Sequence, residues 1–164
     1  MKKYIYIFCV LIMALAACSN EQEETSQGSS NIDDSLEGLT YNMETESWSP
    51  MMAQFLNELD KPRVQGAYEL AIQHPDVLDY VPCYCGCHDS NGHEHVRHCF
   101  VEDYNENIAE LDNMGFGCAI CIETAEIAVA KYEEGESLPD IRNYIDDKYS
   151  GNGVGPTPTP KPEG

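Results

Sequence analysis

The sequence predicts an all-α fold: a small helical domain built around a Cys/His-rich loop. Three observations carry this. Apolar residues recur at three- and four-residue spacing along several segments. Pro and Gly fall where helices start and stop. Val and Ile runs at period two, the mark of half-buried strands, are missing.

The elements follow in order. Ser49-Pro50 is a cap with Pro at the first helical position, and Met52, Phe55, Leu56 and Leu59 give one apolar face. Asp60-Lys61-Pro62 restarts the chain. Val64, Ala67, Tyr68, Ala71 and Ile72 then keep helical spacing up to His74-Pro75, where His74 reads as a surface or cap residue. A short turn from Asp76 to Tyr80 leads to Val81-Pro82. Residues 82–92 hold too much Cys, Gly, Asp and Asn for a regular element. The piece from His93 to Tyr104 reads as helix, with Val96 and Phe100 one turn apart. Gly115 and Gly117 flank a bend. A helix then runs from about Cys118 to Glu134, with Ile120, Ala125, Ile127, Ala128 and Tyr132 for packing, and Gly135 stops it. Ser137-Leu138-Pro139-Asp140 reads as a capping box for a last helix lined by Leu138, Ile141, Ile145 and Tyr149.

The chain has 164 residues, enough for one domain, with 9 Lys+Arg against 29 Asp+Glu and a formal charge of -20. So negative a surface cannot neutralise phosphates, which excludes a nucleic-acid binder. Lys2 and Lys3 precede an apolar stretch at residues 4–17 that ends Leu15-Ala16-Ala17-Cys18. It is too short to span a bilayer and the right length for a signal-peptide core. The ending resembles a bacterial lipobox, which is cut before a Cys whose thiol then carries a diacylglycerol. The expected organisation is a lipoprotein signal peptide over 1–17, a lipidated, disordered tether over 18–46, a helical domain over 47–150 and a disordered Gly/Pro tail over 151–164. Acylated Cys18 would hold the protein on the extracytoplasmic face of the cell membrane. Cys9 falls in the discarded part.

Six other cysteines remain: Cys83, Cys85, Cys87, Cys99, Cys118 and Cys121. Three alternate in Pro82-Cys83-Tyr84-Cys85-Gly86-Cys87-His88, where Gly86 lets the backbone fold so that neighbouring thiols converge. His93-Glu94-His95-Val96-Arg97-His98-Cys99 follows, and in a helix His95 would share a face with His98 and Cys99. Cys118-Ala119-Ile120-Cys121 opens a helix, where backbone amides and the dipole favour thiolate.

Three readings are open. In the first, the six cysteines, supported by His88, His95 or His98 among the local histidines, bind Cu(I) or Zn(II), because thiolate and imidazole suit both ions. More thiols are present than one tetrahedral site needs, so a second ion binds or some pair as a disulfide. In the second, Cys118 is a reactive thiolate with Cys121 as partner, in a compartment that permits both redox states. In the third, the three alternating cysteines bond to Cys99, Cys118 and Cys121, and the protein is a disulfide-stapled interaction module. A membrane protein is then the partner docked by the helices. Haem attachment is excluded: Ile122 follows Cys121, and Cys85-Gly86-Cys87-His88 has one residue too few between its thiols. Spacing singles out no Ser/His/Asp arrangement and no Gly-rich phosphate loop.

Pro82 to Cys87 spells PCYCGC. The chain resembles the family of bacterial, chiefly Gram-positive, lipoproteins named after this motif. The likeness extends over the lipobox, the stretch ending His98-Cys99-Phe100, Cys118-x-x-Cys121, and the closing pattern from Gly135 to Tyr149. It implies a lipid-anchored extracytoplasmic protein and transfers no catalytic residue. A Cys-x-x-Cys at a helix start, then Gly-x-Ser and a short helix closing with Tyr, is similar to the membrane-anchored thiol proteins of cytochrome c maturation, which implies thiol–disulfide chemistry.

Overall fold

Val101–Asn105 (β3) and Ile108–Leu111 (β4) form a hairpin closed by Glu106 and Asn107, with Glu106 in the left-handed region at φ 53°. The computed structural model describes residues 38–59 and 61–162. They belong to the compact unit Asp34–Gly164; the lipobox, Cys18 and most of the expected tether lie outside the described residues.

The hairpin corrects the all-α expectation. Thr40–Asn42 (β1) pairs with β4, and Ser47–Trp48 (β2) pairs with β1, giving an antiparallel sheet of order β2-β1-β4-β3. The fold is therefore mixed α and β. The expected helix over 93–104 is instead a 3₁₀ turn, Val96–Cys99, running into β3. The strands escape a period-two reading for a physical reason. In β3 Val101 opposes Leu111 while Asp103 opposes Glu110, so Glu102 bulges out and shifts the alternation by one. In β4 the inward residues are Ala109 and Leu111, and the first is too small to signal a strand. Residues 40–42 add only half-buried positions, stabilised by Tyr41 against Trp48 at 4.6 Å and by the Asn42 side chain, which accepts from the amides of Glu44 and Thr45.

The ordered region also begins before residue 47 and runs past residue 150. Leu39 is 3% exposed, and its carbonyl accepts from the Leu111 amide. Thr157 and Thr159, expected in an unpacked tail, are 4% and 6% exposed.

The helical expectations fare better. Pro50–Leu59 (α1) starts at Ser49, whose hydroxyl accepts from the Met52 amide. Pro62–Gln73 (α2) buries Val64, Ala67, Tyr68, Ala71 and Ile72, the stripe read from spacing. Pro75–Leu78 (α3) is one short turn, and Cys87–Asn91 (α4) is another. Ala119–Glu133 (α5) has Cys118 as its cap, and it packs against α2, α3 and Leu138–Tyr149 (α6). Its buried face is Cys121, Ile122, Thr124, Ala125, Ala128 and Val129; Tyr132, expected in the core, is exposed. Ser137 caps α6 by accepting from the Asp140 amide, as the capping-box pattern requires. Tyr68, Phe100, Val77, Leu78, Val129, Ile141 and Ile145 are fully buried at the centre. Each such side chain contributes about 1.5–3 kcal/mol by leaving water. Among the described residues, no helix is long and apolar enough to cross a membrane.

Candidate metal centre

Three separate pieces of chain deliver sulfur to one place. Val81 accepts the Val96 amide through its carbonyl, which ties the Pro82–Cys87 segment to the 3₁₀ turn carrying Cys99. Phe100 follows Cys99 and packs edge-on against Tyr68 at 5.2 Å, so the core fixes that turn. Gly115 lies under Phe100: a Cβ there would stand 2.5 Å from the ring and 2.8 Å from the Cys99 carbonyl. Helix α5 supplies the last pair. The Cys118 sulfur accepts from the Cys121 amide at 3.3 Å, the N-cap bond of that helix.

The C-terminal segment closes the site. Thr157 accepts the Cys83 amide on its hydroxyl at 2.9 Å and donates its own amide to the Cys83 carbonyl at 3.0 Å. Its hydroxyl also meets that of Thr159, which donates to the Glu94 carbonyl. Arg142 on α6 holds the carbonyls of Thr159 and Pro160. Tyr84 is fastened from the other side, its hydroxyl donating to Asp146 at 2.7 Å. Gly86 turns the loop at φ 85°, a conformation that a side chain would strain.

The sulfurs of Cys83, Cys85, Cys99 and Cys121 all lie within 4.8 Å of one another. Cys83 stands 3.0 Å from Cys85 and 3.4 Å from Cys121, and Cys121 stands 3.0 Å from Cys99. Cys87 adjoins Cys85 at 2.9 Å and Cys118 adjoins Cys121 at 2.7 Å. All six thiols are free. For comparison, a disulfide holds its sulfurs about 2.05 Å apart, and a tetrahedron with metal–sulfur bonds of about 2.3 Å has edges of about 3.8 Å. Cys83, Cys99 and Cys121 are fully buried, whereas Cys85 and Cys118 are partly open to solvent. Such a set of four thiols could hold a metal ion or undergo redox chemistry.

So many sulfurs cannot ionise together. Cys85 is held far below the ordinary thiol range by S–H donors from Cys118, Cys121, Cys83 and Cys99. Cys121 is pushed up by contacts with Cys118, Cys83, Cys85 and Cys99 and by burial. At Cys99 the contact with Cys121 favours thiolate, but Cys83, Cys85, Cys87 and burial outweigh it and push the thiol up. At Cys118 the contact with Cys121 also favours thiolate; Cys85 and burial reverse it, and the thiol rises to about 12. That reverses the expectation that the helix start would make Cys118 the thiolate. Thiolate is thus favoured at Cys85, on the solvent side, and disfavoured at buried Cys99 and Cys121.

Of the histidines, His93 is the one that contacts a sulfur, its Nδ1 lying 3.7 Å from the Cys99 Sγ. Its other nitrogen faces Asp112 at 3.5 Å. With Nε2–H turned to Asp112, Nδ1 is free to accept the Cys99 proton. His88 meets the His93 carbonyl through Nδ1. His95 and His98 stack at 3.8 Å beside Asp79 and Arg97. None of the polar contacts of His88, His95 or His98 is to a cysteine. His95 and Cys99 do not share a helical face, because the backbone there is extended at His95 and then turns as a 3₁₀ helix. Spacing could not have singled out His93, which the bend at Gly92 delivers, nor Thr157, which lies 74 residues from its partner Cys83.

His93 also lines an open cleft of about 510 Å³ with His98, Glu102, Asp103, Glu110 and Asp112. Four carboxylates there make it attractive to cations, and its wall is the imidazole that touches Cys99.

Fold and site together define a small α+β domain centred on a cluster of free thiols. The chain belongs to the family described as protein of unknown function with PCYCGC motif, whose model matches residues 7–162. No curated protein and no solved structure matches it.

Proposed function

We propose that this protein is a membrane-anchored, extracytoplasmic binder of a soft transition metal, Cu(I) or Zn(II), held by thiolates of the Cys83–Cys121 cluster. The observation that carries it is the convergence of four sulfurs, three of them fully buried, within 4.8 Å. Thiolate sets of this kind select Zn(II) and Cu(I) over harder ions. The acidic cleft supports the reading, since clefts lined by one sign of charge concentrate counter-ions. Partly open Cys85 and Cys118 give an ion a way in. The tether is the Cys18 lipid anchor expected from the lipobox, with a membrane protein as the partner that would deliver or receive the ion.

Elemental analysis and thiol counting on one air-free sample test this. Bound copper or zinc, with the cluster thiols shielded from alkylation until a chelator is added, is the expected result. Protein without metal, whose thiols are all oxidised, would end it.

A second reading has its own observation: Cys118 and Cys121 touch at 2.7 Å at the start of α5, the placement of a thiol–disulfide exchange pair. Insulin reduction that disappears in Cys118→Ser, in metal-free protein, would favour it.

A further inference from the structure

We propose that the six thiols form a binuclear centre in which the thiolates of Cys85 and Cys121 bridge two soft-metal ions. This rests on the metal-binding reading above and specifies its architecture.

The pattern of contacts assigns the roles. Cys83, Cys85, Cys99 and Cys121 are the compact set, sufficient for one tetrahedral ion. The two remaining sulfurs are not stray. Cys87 lies 2.9 Å from Cys85, and Cys118 lies 2.7 Å from Cys121. The shortest contact of each is therefore with a different member of the first set. An ion held by Cys87 and Cys118 would lie against Cys85 and Cys121, completing a second tetrahedron that shares one edge with the first. Two unshared tetrahedra would need eight donors. Six sulfurs suffice when two are shared.

Solvent access agrees with this order. Cys83 and Cys99, which belong to the first set alone, are fully buried. Of the second set, Cys118 and the bridging Cys85 are partly open, while Cys87 is 6% exposed and the bridging Cys121 is fully buried. The first ion is thus the inner one and the second the outer one. Loading displaces the S–H protons to solvent. Two divalent ions and six thiolates leave a net negative charge beside the N-terminus of α5, where the positive end of a fifteen-residue helix offsets part of it.

Co(II) is the probe, titrated without air into the reduced full chain in detergent. Thiolate-to-Co(II) charge-transfer absorption should grow to about two equivalents. The electron paramagnetic resonance signal of the first equivalent should fall as the second binds, because bridging sulfurs couple the two spins. All six thiols should then resist alkylation. Cys87→Ser and Cys118→Ser should each stop the titration at about one equivalent and keep the signal. Saturation of the wild-type chain at one equivalent, with Cys87 and Cys118 still alkylated, would overturn the binuclear centre and leave the metal-binding reading intact. Two equivalents with undiminished signal would mean separate, unbridged sites and would also overturn it. Absence of any charge-transfer band would remove both.

Discussion

Cys118 and Cys121 sit on the first turn of a fifteen-residue helix, whereas Cys83 and Cys85 sit on a segment without regular structure. The helical pair is placed locally. The two positions are three apart in sequence, one sulfur caps the amide of the other, and the helix needs no distant partner to set that geometry. The loop is placed from afar. Its backbone bonds to Thr157, its tyrosine to Asp146, and its turn depends on one positive φ at Gly86. A thiol cluster assembled from both inherits rigidity from the first and a removable clasp from the second.

Loosening the clasp should therefore have the largest effect. Deleting residues 156–164 removes Thr157 and Thr159 and leaves the Cys83 amide without its partner. Partners that orient ligands typically govern metal affinity by about 10–100-fold, and a loss of that size is expected in chelator competition. Thr157→Val keeps the shape and removes the hydroxyl that serves the Cys83 amide and Thr159; the stranded amide should cost about 1–3 kcal/mol in urea unfolding. A truncated chain that holds its metal as tightly as the full one would show that the tail is an ornament.

Next comes the turn. Gly86→Ala places a side chain at φ 85°, at a cost of about 1–2 kcal/mol for the left-handed conformation. Its Cβ meets Val154 at an ordinary 3.6 Å, so strain and not collision is being measured. Equal unfolding midpoints for the two proteins would refute the stated conformation.

On the helical side, Cys118→Ala should be milder in the metal-free protein. Loss of a cap costs about 0.5–2 kcal/mol, and sulfur as a weak acceptor belongs at the low end. Destabilisation equal to that of Thr157→Val would erase the distinction between the two regions.

One effect appears only in acid, at the turn that presents Cys99. Burial, followed by the charges of His98, Arg97 and His93, holds His95 down from 6.5 to about 3. The unfolded chain takes up that proton as pH falls below 6.5, while the folded chain resists until about 3. This group's contribution is therefore full above 6.5 and declines through that window. Urea midpoints of the wild type and His95→Gln should converge as pH falls from 7 to 4. Parallel curves would place His95 in water.

Much of the helical framework was legible. The stripe Val64–Ile72 and the capping Ser137 are local signals, and the structure uses both as read. The strands were not, because the bulge at Glu102 and the small Ala109 erase the alternation that marks a half-buried strand. The cysteines were legible as candidates and the histidines only as a group. Choosing among His88, His93, His95 and His98 depended on a helix that does not form. The tail was misread because Gly, Pro and Thr carry little apolar surface; Thr157 and Thr159 are buried by hydrogen bonding rather than by hydrophobicity.

The sequence by itself determined the soft ligands, the helices and their caps, since each depends on residues within a few positions of one another. Only the tertiary structure decided that Cys83, Cys85, Cys99 and Cys121 meet, that His93 and not His95 joins them, and that the C-terminal threonines close over the loop. Those contacts link residues up to 74 positions apart. At such separations the core and the sheet fix the geometry, and no local spacing encodes it.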